Sequence, residues 1–133
     1  MAITDPFKIY TSEHNSFTYQ TTLDPIQDSG ESYTGSLLLV FETLTLTLRD
    51  ASTGTVINSR DVQNVLNTNG VTLDDDGLLI WSATSADTPI ITSTKKGNEL
   101  HIATFEARYP APGTGDAVAW DVFVYVRNLG KAI

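Results

Sequence analysis

The stretch that most limits what this chain can fold into is "TLTLTLRDASTGTVI", residues 43–57. Leu44, Leu46 and Leu48 alternate with Thr43, Thr45 and Thr47. Successive side chains of a strand point to opposite faces, so this period of two puts the leucines on a core face and the threonines towards solvent. Asp50-Ala51-Ser52-Thr53-Gly54 then supplies turn formers, with Gly54 free to take positive φ, and Thr55-Val56-Ile57 returns as the second arm of a hairpin. Nothing reactive sits on the strand. It reads as scaffold.

The rest of the chain continues in β style. Residues 37–41 form a continuous apolar run that suits a strand buried on both sides. Residues 59–69 fit either a short helix capped by Ser59, with Val62, Val65 and Leu66 inward, or an irregular strand with a bulge. Asn69-Gly70 and Asp76-Gly77 are turn signals bracketing Val71-Thr72-Leu73. A strand over 78–83 carries Trp81, and "SADTP", 85–89, reads as one helical turn stopped by Pro89.

Two long strands follow. Over 100–109, His101, Ala103, Phe105, Ala107 and Tyr109 share one face. After the Pro/Gly loop at 110–116, Val118, Trp120, Val122, Val124 and Val126 share a face, with Asp121, Phe123, Tyr125 and Arg127 opposite. Phe123 and Tyr125 make that opposite face partly apolar, so it lies in a sandwich centre or meets a partner.

Residues 1–34 are polar, Thr/Ser-rich and broken by Pro6, Pro25 and Gly30. They hold one strand, 16–22, with Phe17 and Tyr19 on one face; the remainder reads as an extended arm. The expected architecture is a single all-β domain: an antiparallel immunoglobulin-like β-sandwich of about seven or eight strands over 35–133, with an N-terminal arm and first strand over 1–34. A small barrel is the second choice.

Sixteen acids against eight bases give a formal charge of -8. Phosphates are bound by Lys and Arg, so this balance argues against nucleic acid and anionic membrane surfaces as partners. No N-terminal apolar run resembles a signal peptide, and no run is long enough to span a bilayer. The absence of cysteine excludes disulfides and thiolate metal sites, and favours synthesis in a reducing cytoplasm.

Chemistry-bearing motifs are sparse. Asp28-Ser29-Gly30 reproduces the D-[ST]-G triplet of aspartic proteases, but flanked by Gln27 and Glu31 in the most polar part of the chain. Asp74, Asp75 and Asp76 before Gly77 invite calcium, yet an EF-hand register would put Ala83 where the bidentate Glu belongs, so an acidic turn explains them as well. His14 and His101 are the two histidines, and His101, within a strand, reads as a packed or edge residue. No hydrolase, zinc-protease, phosphate-loop or dinucleotide template occurs, so neither catalysis nor a cofactor is expected. Trp81 and Trp120 lie in strong strand patterns and read as core rather than as a sugar platform.

The run 48–91, "LRDASTGTVINSRDVQNVLNTNGVTLDDDGLLIWSATSADTPI", resembles small proteins encoded by tailed-bacteriophage genomes, which show a D-x-Q-N-V-L-N-x-N-G-V-T segment, a G-L-x-x-W strand and an A-D-x-P turn. "HIATFEA", 101–107, and "VRNLGK", 126–131, resemble later segments of the same proteins. The "TLTLRDAS" hairpin with a later tryptophan strand is also similar to the immunoglobulin-like N-terminal module of phage baseplate upper proteins, although no stalk or receptor-binding sequence follows residue 133.

These resemblances imply a non-enzymatic structural protein of the virion, made in the bacterial host cytoplasm. Capsid decoration is the first expectation, and a tail, collar, baseplate or fibre-base position is the second. Its partners would be a major capsid protein or a tail or fibre protein, and further copies of itself in a homo-oligomer. Gln63, Asn64, Asn67 and Asn69 are expected to satisfy loop backbone through their amides. Arg127 either pairs with an acid such as Asp121 or Glu106 or, with Lys131, forms a docking tail. Phe123, Tyr125, Arg127 and Lys131 are therefore the candidate partner-binding residues.

Overall fold

In the computed structural model, which describes residues 7–23, 43–74, 78–92, 97–108 and 117–129, the leucine side of the alternating strand faces inward. Leu44, Leu46 and Leu48 are fully buried and the threonines between them are half-buried. This strand, β3 (Thr43–Asp50), lies in a five-stranded sheet with β1 (Phe7–Ser12), β4 (Gln63–Asn64), β7 (Asn98–Arg108) and β8 (Ala117–Arg127), ordered β1-β8-β7-β3-β4. Facing it is a three-stranded sheet of β2 (Phe17–Thr22), β5 (Val71–Leu73) and β6 (Leu78–Ala83), ordered β2-β6-β5. All pairs are antiparallel except β1 with β8. An edge strand parallel to the last strand, and a chain that changes sheet between β1 and β2, β2 and β3, β4 and β5, and β6 and β7, give the immunoglobulin-like sandwich. The one helical piece among the described residues is a single 3-10 turn, Ser85–Asp87, where "SADTP" predicts it.

The arm needs correction. Residues 7–12 form β1 on the edge of the larger sheet, and 17–22 form β2 in the smaller, so this segment gives one strand to each layer. β1 is short, and its ladder partner comes from the far end of the chain, so nothing local announces it. The turn between them is tied down as well: the His14 amide donates to the Thr88 carbonyl (2.9 Å), and the Thr88 hydroxyl to the Asn15 carbonyl (2.9 Å). Residues 1–6 and 24–34, the apolar run 37–41, Asp76-Gly77 and the loop 110–116 lie outside the described residues.

Over 59–69 the irregular strand, not the short helix, is observed. The return from the hairpin runs along β3 with amide bonds from Ile57 to the Leu48 carbonyl, Leu48 to Arg60 and Val65 to Leu44. Between these contacts the chain bulges, with positive φ at Asn58, Ser59, Val62 and Asn67, which leaves β4 only two residues of regular ladder. Val62 is the costly position, since a β-branched residue rarely takes positive φ; the Thr47 hydroxyl accepts its amide at 2.9 Å.

The core centres on Phe105. Its ring lies 5.3 Å from Trp120, 6.0 Å from Tyr19 and 5.7 Å from Trp81. Immunoglobulin domains commonly cross this space with a disulfide between the two sheets. Here Tyr19 on β2 and Phe105 on β7 stack instead, and the Trp120 indole donates to the Tyr19 hydroxyl at 3.0 Å. Burial pushes the Tyr19 phenol above its usual range, with the hydrogen bonds from Trp120 and Thr21 opposing.

The Asn69-Gly70 turn sets β5 against β6. Asn69 has φ 53 and Gly70 φ 88, and the Ser82 amide donates to the Gly70 carbonyl at 2.8 Å. A Cβ on Gly70 would lie 3.1 Å from the Ser82 carbonyl oxygen. Gly70→Ala is therefore expected to cost more than about 1 kcal/mol, because backbone strain and crowding add. A urea midpoint equal to or above that of the parent would contradict this.

Candidate functional site

The outer face of the five-stranded sheet is built by strand parity. The inward residues of β8, Val118 to Val126 in steps of two, are buried, so Ala119, Asp121, Phe123, Tyr125 and Arg127 point outward. Register then sets their neighbours. Tyr10, Tyr125 and Leu100 form one row across β1, β8 and β7; Lys8, Phe123, Ile102 and Arg49 form the next, extending to β3. Tyr10 is 71% exposed and stacks on Tyr125 with centroids 5.0 Å apart. Phe123, Tyr125, Leu100 and Ile102 are half-buried.

Lys8, Arg49 and Arg127 rim this apolar area, three of the eight basic residues of an acidic chain. Further along, the face turns polar: Thr104 donates to Asp121 at 2.7 Å, and Arg108 pairs with Glu106 at 3.2 Å.

Arg127 does not pair with Asp121 or Glu106. It shares a strand face with Asp121 six residues away, about 20 Å along an extended backbone, and no side chain among the described residues pairs with it. It is an exposed cation beside the aromatic row. Lys131 lies outside the described residues.

Two buried polar clusters complete the picture. In the first, Arg60 and Asp87 are almost wholly buried. Arg60 Nε donates to Asp87 Oδ1 at 2.6 Å and Nη2 to Oδ2 at 3.2 Å, a two-point pairing. Nη1 donates to Gln63 Oε1 (2.8 Å) and to the Asn69 carbonyl (3.1 Å), while Asn58 Nδ2 and the Thr84 amide donate to Asp87. The guanidinium sits over the Trp81 ring at 5.9 Å. An open hollow lies above, lined by Asn58, Gln63, Asn69 and Thr84. Its polar floor is already paired, which makes it structural.

Of the amides expected to serve loop backbone, Asn64, Asn67 and Asn69 do so, whereas Gln63 accepts from the Arg60 guanidinium instead. Asn67 Oδ1 accepts the Leu73 amide at 2.8 Å, Asn69 Nδ2 donates to the Asn64 carbonyl at 2.9 Å, and Asn67 and Asn69 both have positive φ.

In the second cluster, Asp50 closes β3 directly opposite His101 on β7, and Glu99 stands two residues before His101 on the same inward face. All three are buried to within 1%. Glu99 Oε1 accepts the Ile91 amide (2.7 Å) and Oε2 the Thr92 amide (2.8 Å), and His101 Nε2 lies 2.6 Å from Oε1. Asp50 Oδ2 accepts the amide (2.8 Å) and hydroxyl (2.7 Å) of Thr53. Asp50 Oδ1 has no hydrogen-bond partner among the described residues and faces His101 Nε2 at 4.0 Å. His101 is thus packed, as its place in a strand predicts, but between two carboxylates.

Of the other candidates, Asp74 closes the β5–β6 hairpin, its Oδ1 accepting the Leu78 amide at 2.9 Å; Asp75 and Asp76 lie outside the described residues. So does Asp28-Ser29-Gly30. Trp81 and Trp120 are buried, which removes them as a sugar-stacking platform. No protein-family model and no curated protein matches this chain.

Proposed function

We propose that this chain is a non-catalytic structural protein of a tailed-phage virion that docks on other virion proteins through the outer face of β1 and β8. Capsid decoration is the first assignment, and a tail, collar, baseplate or fibre-base position is the second. The observation that carries the docking surface is the exposed Tyr10 ring stacked on Tyr125 beside Phe123, with Lys8, Arg49 and Arg127 around it. Two stacked tyrosines offer rigid apolar area at small entropic cost, and a cationic rim selects a partner with acidic groups. The virion setting is supported by the resemblance of 48–91, 101–107 and 126–131 to phage proteins. Virion positions are symmetric, so several copies are expected to assemble together.

The double variant Tyr10→Ala, Tyr125→Ala tests this. Both side chains lie outside the core, so melting is expected to change little. Occupancy of purified virions, measured by sedimentation and densitometry, is expected to fall by more than about tenfold, because central aromatic anchors carry most interface energy. Undiminished occupancy would remove the surface from consideration. Imaging of the parent virion then separates capsid from tail.

A further inference from the structure

We propose that Asp50, Glu99 and His101 form a buried site for one divalent transition-metal ion of the zinc class. One imidazole nitrogen and two carboxylate oxygens, all fully buried, come within 4.8 Å of one another. Ladder register fixes the arrangement: Asp50 and His101 are cross-strand partners, and Glu99 follows on the same face of β7.

Charge favours a cation here. Two buried carboxylates in a low-dielectric setting are costly unless a cation pairs with them. A divalent ion cancels both. The unpartnered Asp50 Oδ1 is an independent sign. A buried carboxylate oxygen without a donor loses its hydration for nothing, and this one is aimed at the space beside His101 Nε2.

The surroundings support ligation. The Ile91 and Thr92 amides hold Glu99, and Thr53 holds Asp50 by its second oxygen, so both carboxylates are oriented before an ion arrives. Bonds of about 2.1 Å in a tetrahedral shell place ligand atoms roughly 3.4 Å apart. The Asp50–His101 distance of 4.0 Å would close, and the 2.6 Å Glu99–His101 contact would open, each by under about 1 Å to reach that spacing. An imidazole with only two carboxylates suits zinc or cobalt, whereas calcium takes six to eight oxygens. Ligation through Nε2 puts the imidazole proton on Nδ1, which has no acceptor among the described residues. The ion would clip the ends of β3 and β7 to the segment carrying Ile91 and Thr92.

The full chain, unfolded in urea with chelator and refolded with one equivalent of Co2+ or Zn2+, gives the test. Expected are one ion per chain, a visible cobalt band of a low-coordinate site, and a melting rise of at least about 5 °C. Mg2+ and Ca2+ should give neither binding nor rise. Asp50→Asn keeps an acceptor for Thr53 and so the turn, but should lose the band and the rise; His14→Ala should retain both. Wild-type protein that refolds without binding stoichiometric zinc or cobalt would overturn the proposal. Equal binding by Asp50→Asn, or an equal response to calcium, would overturn it too.

Discussion

Phe105→Ala is expected to destabilise the protein by about 3–5 kcal/mol, the range for deleting a large buried aromatic. The ring is fully buried and touches three others: Trp120 and Tyr19 stacked, Trp81 edge-on. Aromatic pairs of this kind contribute about 0.5–1.5 kcal/mol beyond area burial. The loss should therefore lie in the upper part of the range. The neighbours have little freedom to collapse into the space. Tyr19 is fixed by the Trp120 indole, Trp81 by Arg60 above and Phe17 edge-on at 4.9 Å. In a chain without cysteine, the Tyr19–Phe105 stack supplies the cross-layer tie that a disulfide supplies elsewhere. Urea unfolding followed by tryptophan emission measures the effect, with an expected fall in melting temperature of roughly 10–20 °C. Phe105→Leu should recover part of it, since it restores volume without the ring contacts. A loss below about 1 kcal/mol for the alanine variant would mean that the aromatic cluster is not the organising centre.

The same residues show what the sequence makes legible. β3 and β8 are visible because each carries its own period of two, and alternation alone assigns Leu44, Leu46, Leu48 and the β8 valines to the core, whereas β6 shows as an apolar run over 78–81 after a turn signal. β1 has no such signature: Phe7–Ser12 mixes apolar and polar residues on an edge, and its partner lies at the opposite end of the chain. The bulged return at 57–65 is hidden because positive φ at Ser59 and Val62 is set by tertiary contacts and not by residue preference. Of the outer aromatic face, Phe123, Tyr125 and Arg127 follow from β8 parity, but Tyr10 and Lys8 require knowing that β1 exists. The buried triad was closer to view. Carrying the His101, Ala103, Phe105 parity one step backwards puts Glu99 on the core face, where an acid is conspicuous. Only the cross-strand register brings Asp50, itself an ordinary turn former, to His101.

Asp87→Ala is expected to cost about 3–5 kcal/mol, as much as the core aromatic, because it strands a buried cation. Arg60 would keep Gln63 and the Asn69 carbonyl but lose both carboxylate contacts, and the Asn58 amide and the Thr84 N–H would lose their acceptor. Arg60 lies on the return strand beside β3, and Asp87 follows β6, so the pair joins the two sheets along one side of the sandwich. Gln63, the Asn69 carbonyl and Asp87 all converge on the Arg60 guanidinium. The pair need not add net stability. Arg60→Met with Asp87→Leu removes both charges together and should cost markedly less than the sum of the two single changes, with a coupling of at least about 1 kcal/mol in a double-mutant cycle. Arg60→Lys should not restore the parent, since an ammonium cannot make the two-point contact or lie flat on Trp81. Additive single losses, or full recovery with lysine, would show that Arg60 and Asp87 act separately and that the two layers are held by the core alone.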